Sequence, residues 1–293
     1  MKNTENHDYA MERRLRALNP ELHRRFTDAV FALQYNLSHY KLIFPEYTDH
    51  SNLHSMTVID FCNRLIGSQI QSLDPDELYV LLMGCYFHDT GMGITLKDYQ
   101  EFSKQIDFRD YFDTHSHDKL PEIIRSFHNE YSGLFIRKYA ELFELPSEEH
   151  LFAVIQIARG HRKTDLLDEK EYPAALRMPD GNTVCLPYLA ALIRLADEID
   201  VAAARNPKLL YDIESLTDEV EIIENKKVRA VRELAVTEDA FILYVDRSDE
   251  EILGHIRAMV VKMQKTLDYC RRVALQRCPY VITQQRVRME EVG

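Results

Sequence analysis

The sequence predicts a mainly α fold: a helical bundle over residues 1–206, with a small C-terminal α+β appendage, a hairpin plus one long helix, over residues 207–293. Three observations predict it. Strong helix starts recur at Asn19, Asp74, Ser147 and Ser248. Apolar residues between these starts repeat at helical spacing. Runs rich in β-branched and aromatic residues gather only after Asn206-Pro207.

Taken in order, a short helix is expected around Tyr9–Leu18, then a longer one opened by Asn19-Pro20-Glu21 and carrying Leu22, Phe26, Val30, Leu33 and Leu37 inward. A further helix is expected from about Asp49 to Gly67, with His50 and His54 four residues apart on one face. Asp74-Pro75-Asp76-Glu77 combines a cap, a first-turn proline and a glutamate three residues after the cap. The helix it opens is nearly all apolar and ends at Tyr86-Phe87-His88-Asp89-Thr90-Gly91, with Gly91 as its terminator. A histidine and an aspartate at the end of a buried helix are costly unless paired or bound to a metal.

Residues 95–120 lack sustained periodicity and are expected as short helices over the mouth of a site; His115 and His117 there read as a solvated turn. Pro121–Leu145 gives a long helical pattern with Arg125 and His128, and Pro146-Ser147 starts another helix that stops at Gly160-His161. Met178–Asn182 reads as a hairpin turn, followed by an apolar helix over 187–200 that carries Arg194, Asp197 and Asp200. Here a structural salt bridge from Arg194 is the plain expectation for Asp200. In the appendage, strands are expected at Lys227–Val236 and Ala240–Val245, a capped helix from Ser248, and a final strand within Tyr280–Val287. It shows no catalytic residues and suits closing the site or binding a partner protein or a second copy.

The 293 residues carry a net charge of −12, which disfavours nonspecific wrapping of long nucleic acid. No apolar stretch nears the ~20 residues a bilayer requires, and the first residues lack the apolar centre of a signal peptide, so no membrane partner and a cytoplasmic location are expected. The five cysteines are scattered without a CxxC pair and read as reduced core residues.

His54, His88-Asp89, His128, His161 and Asp197 lie on five mainly helical segments in the order H, HD, H, H, D, in the contexts His54-Ser55-x-x-Val58, Phe87-His88-Asp89-x-Gly91, Arg125-x-x-His128, Gly160-His161 and Arg194-Leu-Ala-Asp197. This series, over roughly residues 48–205, resembles the HD superfamily of metal-dependent phosphohydrolases, closest to helical HD domains of the CRISPR-nuclease type and those beside chaperone-like ATPase domains. The resemblance implies His54, His88, Asp89 and Asp197 as ligands of one metal, with Asp89 bridging to a second held by His128 and His161. Such a pair would give a hydroxide that attacks phosphorus, with Asp89, His128 and His161 as catalytic residues. Arg162 stands where binuclear members often have another histidine; with a single metal, His128 and His161 would instead donate protons or contact phosphate.

The implied cofactor is one or two divalent ions (Mn, Ni, Co, Mg, Fe or Zn), and Arg125, Arg159, Arg162, Lys163 and Arg194 are the candidate phosphate contacts. The expected activity is phosphate-ester hydrolysis in a nucleotide or cyclic nucleotide. A nuclease acting on single-stranded nucleic acid and a nucleotide-binding regulatory module without turnover are the alternatives.

Overall fold

The computed structural model describes residues 9–38, 40–43, 52–202 and 219–293, and the chain is mainly helical, as the sequence predicts. The helices are α1 (Ala10–Leu18), α2 (Pro20–Ser38), α3 (Tyr40–Ile43), α4 (Asn52–Ile66), α5 (Pro75–Phe87), α6 (Leu96–Phe102), α7 (Arg109–Phe112), α8 (Leu120–Lys138), α9 (Glu148–Gly160), α10 (Leu186–Glu198), α11 (Glu219–Ala230) and α12 (Glu250–Arg277). Strands β1 (Leu176–Arg177) and β2 (Thr183–Val184) form a minimal antiparallel pair around the expected turn, where Gly181 adopts φ +96°. Strands β3 (Val231–Val236), β4 (Ala240–Asp246) and β5 (Arg286–Val292) form a sheet in which β3 and β4 are antiparallel and β4 and β5 parallel, joined through α12.

Local chemistry explains the elements that carry the site. Asp74 caps α5: its side chain accepts from the Glu77 N–H, Glu77 reaches back to the Asp74 N–H, and Pro75 occupies the first turn. Every residue of α5 from Asp76 to Phe87 is buried, so its C-terminal end opens inside the molecule. Ser147 caps α9 in the same way, accepting from the His150 N–H. Helix α10 packs against α4, α5, α9 and α12, and one apolar core runs through Leu82, Ile157, Leu192 and Leu267.

Several expectations shift. Asp49–Ser51, the start foreseen for α4, and the boundary at residues 206/207 lie outside the described residues, as do His50 and the Leu37 side chain. Lys227–Ala230 closes helix α11 rather than opening a strand. Asp249, not Ser248, caps α12, its side chain accepting from the Glu251 and Ile252 N–H groups. Gly91 does not end a helix with left-handed backbone. It is needed because a Cβ there would sit 2.1 Å from the His128 carbonyl oxygen, so the chain after α5 lies directly on the α8 backbone.

Candidate metal centre

Helix ends bring the site together. His88 is the C-cap of α5, His161 the C-cap of α9, and Asp197 lies in the last turn of α10; His54 comes from the first turn of α4 and His128 from the middle of α8. Ser132 on α8 latches the HD turn, donating to the His88 carbonyl at 2.6 Å and accepting from the Gly91 N–H at 2.8 Å. His54, His88, Asp89, His128 and His161 are all buried, and Asp197 is 24% exposed.

The imidazoles share one orientation. His88 Nδ1 donates to the Cys85 carbonyl at 2.9 Å, His128 Nδ1 to the Arg125 carbonyl at 2.7 Å, and His161 Nδ1 to the Ala158 carbonyl at 2.6 Å. His54 Nδ1 lies 2.7 Å from Asp200 Oδ2. Carbonyls and an ionised carboxylate only accept, so all four rings carry their proton on Nδ1 and present Nε2 as a lone pair. These lone pairs meet two by two: His54 and His88 Nε2 are 3.1 Å apart, and His128 and His161 Nε2 are 2.8 Å apart.

Asp89 stands between the pairs. Its Oδ2 is 3.4 Å from His54 Nε2 and 3.3 Å from His88 Nε2; its Oδ1 is 3.3 Å from His128 Nε2 and 3.8 Å from His161 Nε2. Asp197 Oδ1 adds a carboxylate to the first group, 3.3 Å from His54 Nε2 and 4.0 Å from His88 Nε2. Converging lone pairs repel unless a positive charge lies among them. Burial, reinforced by the neighbouring His128 and His88, pushes the His161 pKa well below the ordinary histidine value, so a proton is a poor candidate there. Asp89 Oδ2 is buried without a hydrogen-bond partner. An anionic, unsatisfied oxygen facing imidazole lone pairs fits a cation, and two groups, His54–His88–Asp89 and Asp89–His128–His161, could each hold a metal ion.

A cavity of about 490 Å³ opens onto this cluster. Asp89, His128, His161 and Asp197 form part of its wall, together with Arg125 and Arg162. Arg159 is turned to Glu130, Gln156 and Glu171; Lys163 Nζ donates to the Ser126 carbonyl; Arg194 donates to the Gly160 and Thr164 carbonyls and lies over the Tyr269 ring. None of these three is part of the cavity wall. Arg194 therefore does not pair with Asp200, whose partner is His54. The cavity is bounded by α11 and α12, through Glu221, Glu224, Lys227, His255 and Lys262, and not by residues 95–120, which pack on α8 through Ser103–Tyr131 and Asp98–Lys138 contacts. His115 and His117 are exposed.

Asp200, expected only as a salt-bridge partner of Arg194, and Lys227, expected in a strand, were not expected at the site, nor were the other α11 residues. Helix α11 was legible in principle: acidic Glu219 and Glu221 in its first turn and basic Lys227 and Arg229 in its last match the helix dipole.

The site and the bundle together define an HD-type domain. A family model, HD-CE, matches residues 44–280, so the chain belongs to the HD-CE family. The match extends across α11 and most of the appendage and carries the HD part of the resemblance, not the kinship to CRISPR nucleases. No curated protein and no solved structure matches the chain significantly. No helix among the described residues is long and apolar enough to cross a membrane.

Proposed function

We propose that the chain is a metal-dependent hydrolase of phosphate ester bonds in a nucleotide or cyclic nucleotide. The observation that carries this reading is the pairing of four imidazole lone pairs on opposite oxygens of one buried carboxylate, Asp89. His54, His88, Asp89 and Asp197 would hold one divalent ion, and Asp89, His128 and His161 a second. Such ions, when bound, lower the pKa of water and neutralise charge on a phosphoryl oxygen.

The chain's own residues supply the rest. Burial of the histidines and Asp89 lowers the local dielectric, which strengthens every charge interaction with a bound phosphate. Arg162 lies beside the His128–His161 pair, its Nη1 3.4 Å from His128 Nδ1, and Arg125, whose guanidinium pairs with Glu221 at 3.2 Å, shares the cavity wall; both match phosphate oxygens in charge. A cavity of about 490 Å³ suits a small nucleotide, and its acidic wall residues Glu198, Glu221 and Glu224 disfavour a long polyanion. Metal-loaded protein incubated with nucleotides, cyclic nucleotides, cyclic dinucleotides and short oligonucleotides should release phosphate or a monoester from a small nucleotide. Turnover confined to oligonucleotides would replace this reading with the nuclease one, and no turnover with any divalent metal would favour a regulatory module.

A further inference from the structure

The four imidazoles are not anchored alike. His88, His128 and His161 each donate Nδ1–H to a neutral carbonyl three residues earlier in the chain, whereas His54 donates to the carboxylate of Asp200, 146 positions away. Asp200 is 3% exposed, and its own N–H bonds the Asp197 carbonyl at 3.2 Å. One turn at the end of α10 thus delivers both the Asp197 carboxylate and the support for His54.

We propose that Asp200 is a positioning residue for the metal centre, and that through His54 it strengthens divalent-cation binding in the His54–His88–Asp89 half. The inference rests on the metal-dependent reading above. A carboxylate behind an imidazole fixes its orientation and raises its strength as a donor more than a carbonyl does. Charge acts in the same direction. The first half gathers Asp89, Asp197 and Asp200, whereas among the described residues the second has Asp89 close by, with Asp197 acting on His161 from farther off, and has Arg162 Nη1 3.4 Å from His128 Nδ1. The cation at Arg162 weakens an incoming ion there, and the three carboxylates strengthen one at His54.

The test is calorimetric titration of the metal-free, full-length protein with Mn²⁺, for the wild type, Asp200→Asn and Asp200→Ala. It is paired with ¹⁵N-histidine spectra of the same metal-free samples, which report each ring's tautomer. The wild type should bind in two unequal steps. Asp200→Ala should weaken the tighter step by about 10–100-fold and leave the weaker one in place. Asp200→Asn, which keeps an acceptor and loses the charge, should fall between. One histidine should leave the Nδ1–H form in Asp200→Ala while the other three keep it, a change that general loosening would not confine to one ring. Unchanged titrations in both variants, or loss in the weaker step alone, overturn the proposal; should Asp200→Ala not fold, Asp200→Asn decides. A wild type that binds no Mn²⁺ removes the metal reading itself, and this inference with it.

Discussion

Gly91→Ala tests whether the HD turn is placed by contact with α8. The added methyl would lie 2.1 Å from the His128 carbonyl oxygen and 2.8 Å from the Ser132 nitrogen, both backbone atoms of buried residues of α8 that cannot rotate away. Ordinary contact demands more than 3 Å, so the turn and α8 must separate by about 1 Å, which as overpacking costs about 1–3 kcal/mol. The separation also stretches the Ser132 latch and moves Asp89 away from His128. Stability should therefore fall by that amount in urea denaturation, and Mn²⁺ affinity should fall with it. Gly254→Ala is the internal comparison: it lies within α12 with nothing within 4 Å of the new Cβ, and should gain about 0.5–1 kcal/mol from helix propensity. Gly91→Ala protein with wild-type stability and Mn²⁺ affinity would refute the contact argument.

Glu77 should make stability fall as pH rises. Burial, with the Asp74 carboxylate adding to it against the Tyr280 hydroxyl, raises its pKa from 4.5 to about 7. Between those values the folded chain holds a proton that the unfolded chain has released, a gap worth roughly 3 kcal/mol, lost from pH 4.5 upward and fully absent above pH 7. Glu77→Gln should flatten that slope in urea melts at pH 5 and 8; an equal slope in both proteins would count against it. Arg162→Ala should raise KM for a nucleotide about tenfold or more, the scale of one charged hydrogen bond, and Arg125→Ala should do so while also lowering stability, because it leaves the buried Glu221 carboxylate without that partner, whereas Arg159→Ala should lower stability and leave KM alone; the reverse pattern in steady-state kinetics would reassign the phosphate contacts. Divalent metal at 100 times its Kd should raise stability by about 2.7 kcal/mol, and chelation should remove the gain in thermal melts; a melting temperature indifferent to metal would contradict a ligand set completed only by folding.

The gathering of His54, His88, Asp89, His128 and His161 was legible because their chemistry is local. A buried helix such as α5, opened by Asp74-Pro75 and ended by His88-Asp89, announces both its depth and the polar groups at its end. The cavity's second wall was not, because Glu221, Glu224 and Lys227 read as ordinary charged residues until α12 packing turns them inward. Arg159, Lys163 and Arg194 show the converse: a guanidinium or ammonium near a ligand histidine in sequence says nothing of where its long side chain goes. Asp200 sits three residues beyond Asp197, and only the turn after α10 shows that it faces His54 rather than Arg194.

Metal content after saturation with Mn²⁺ and removal of the excess separates a two-ion centre from a one-ion or metal-free one. Two ions per wild-type chain, one in His128→Ala and none in Asp89→Ala is the expected result, since Asp89 faces both imidazole pairs, one with each oxygen. Asp89→Ala protein that keeps a full complement of metal, or wild-type protein that keeps none, would contradict it.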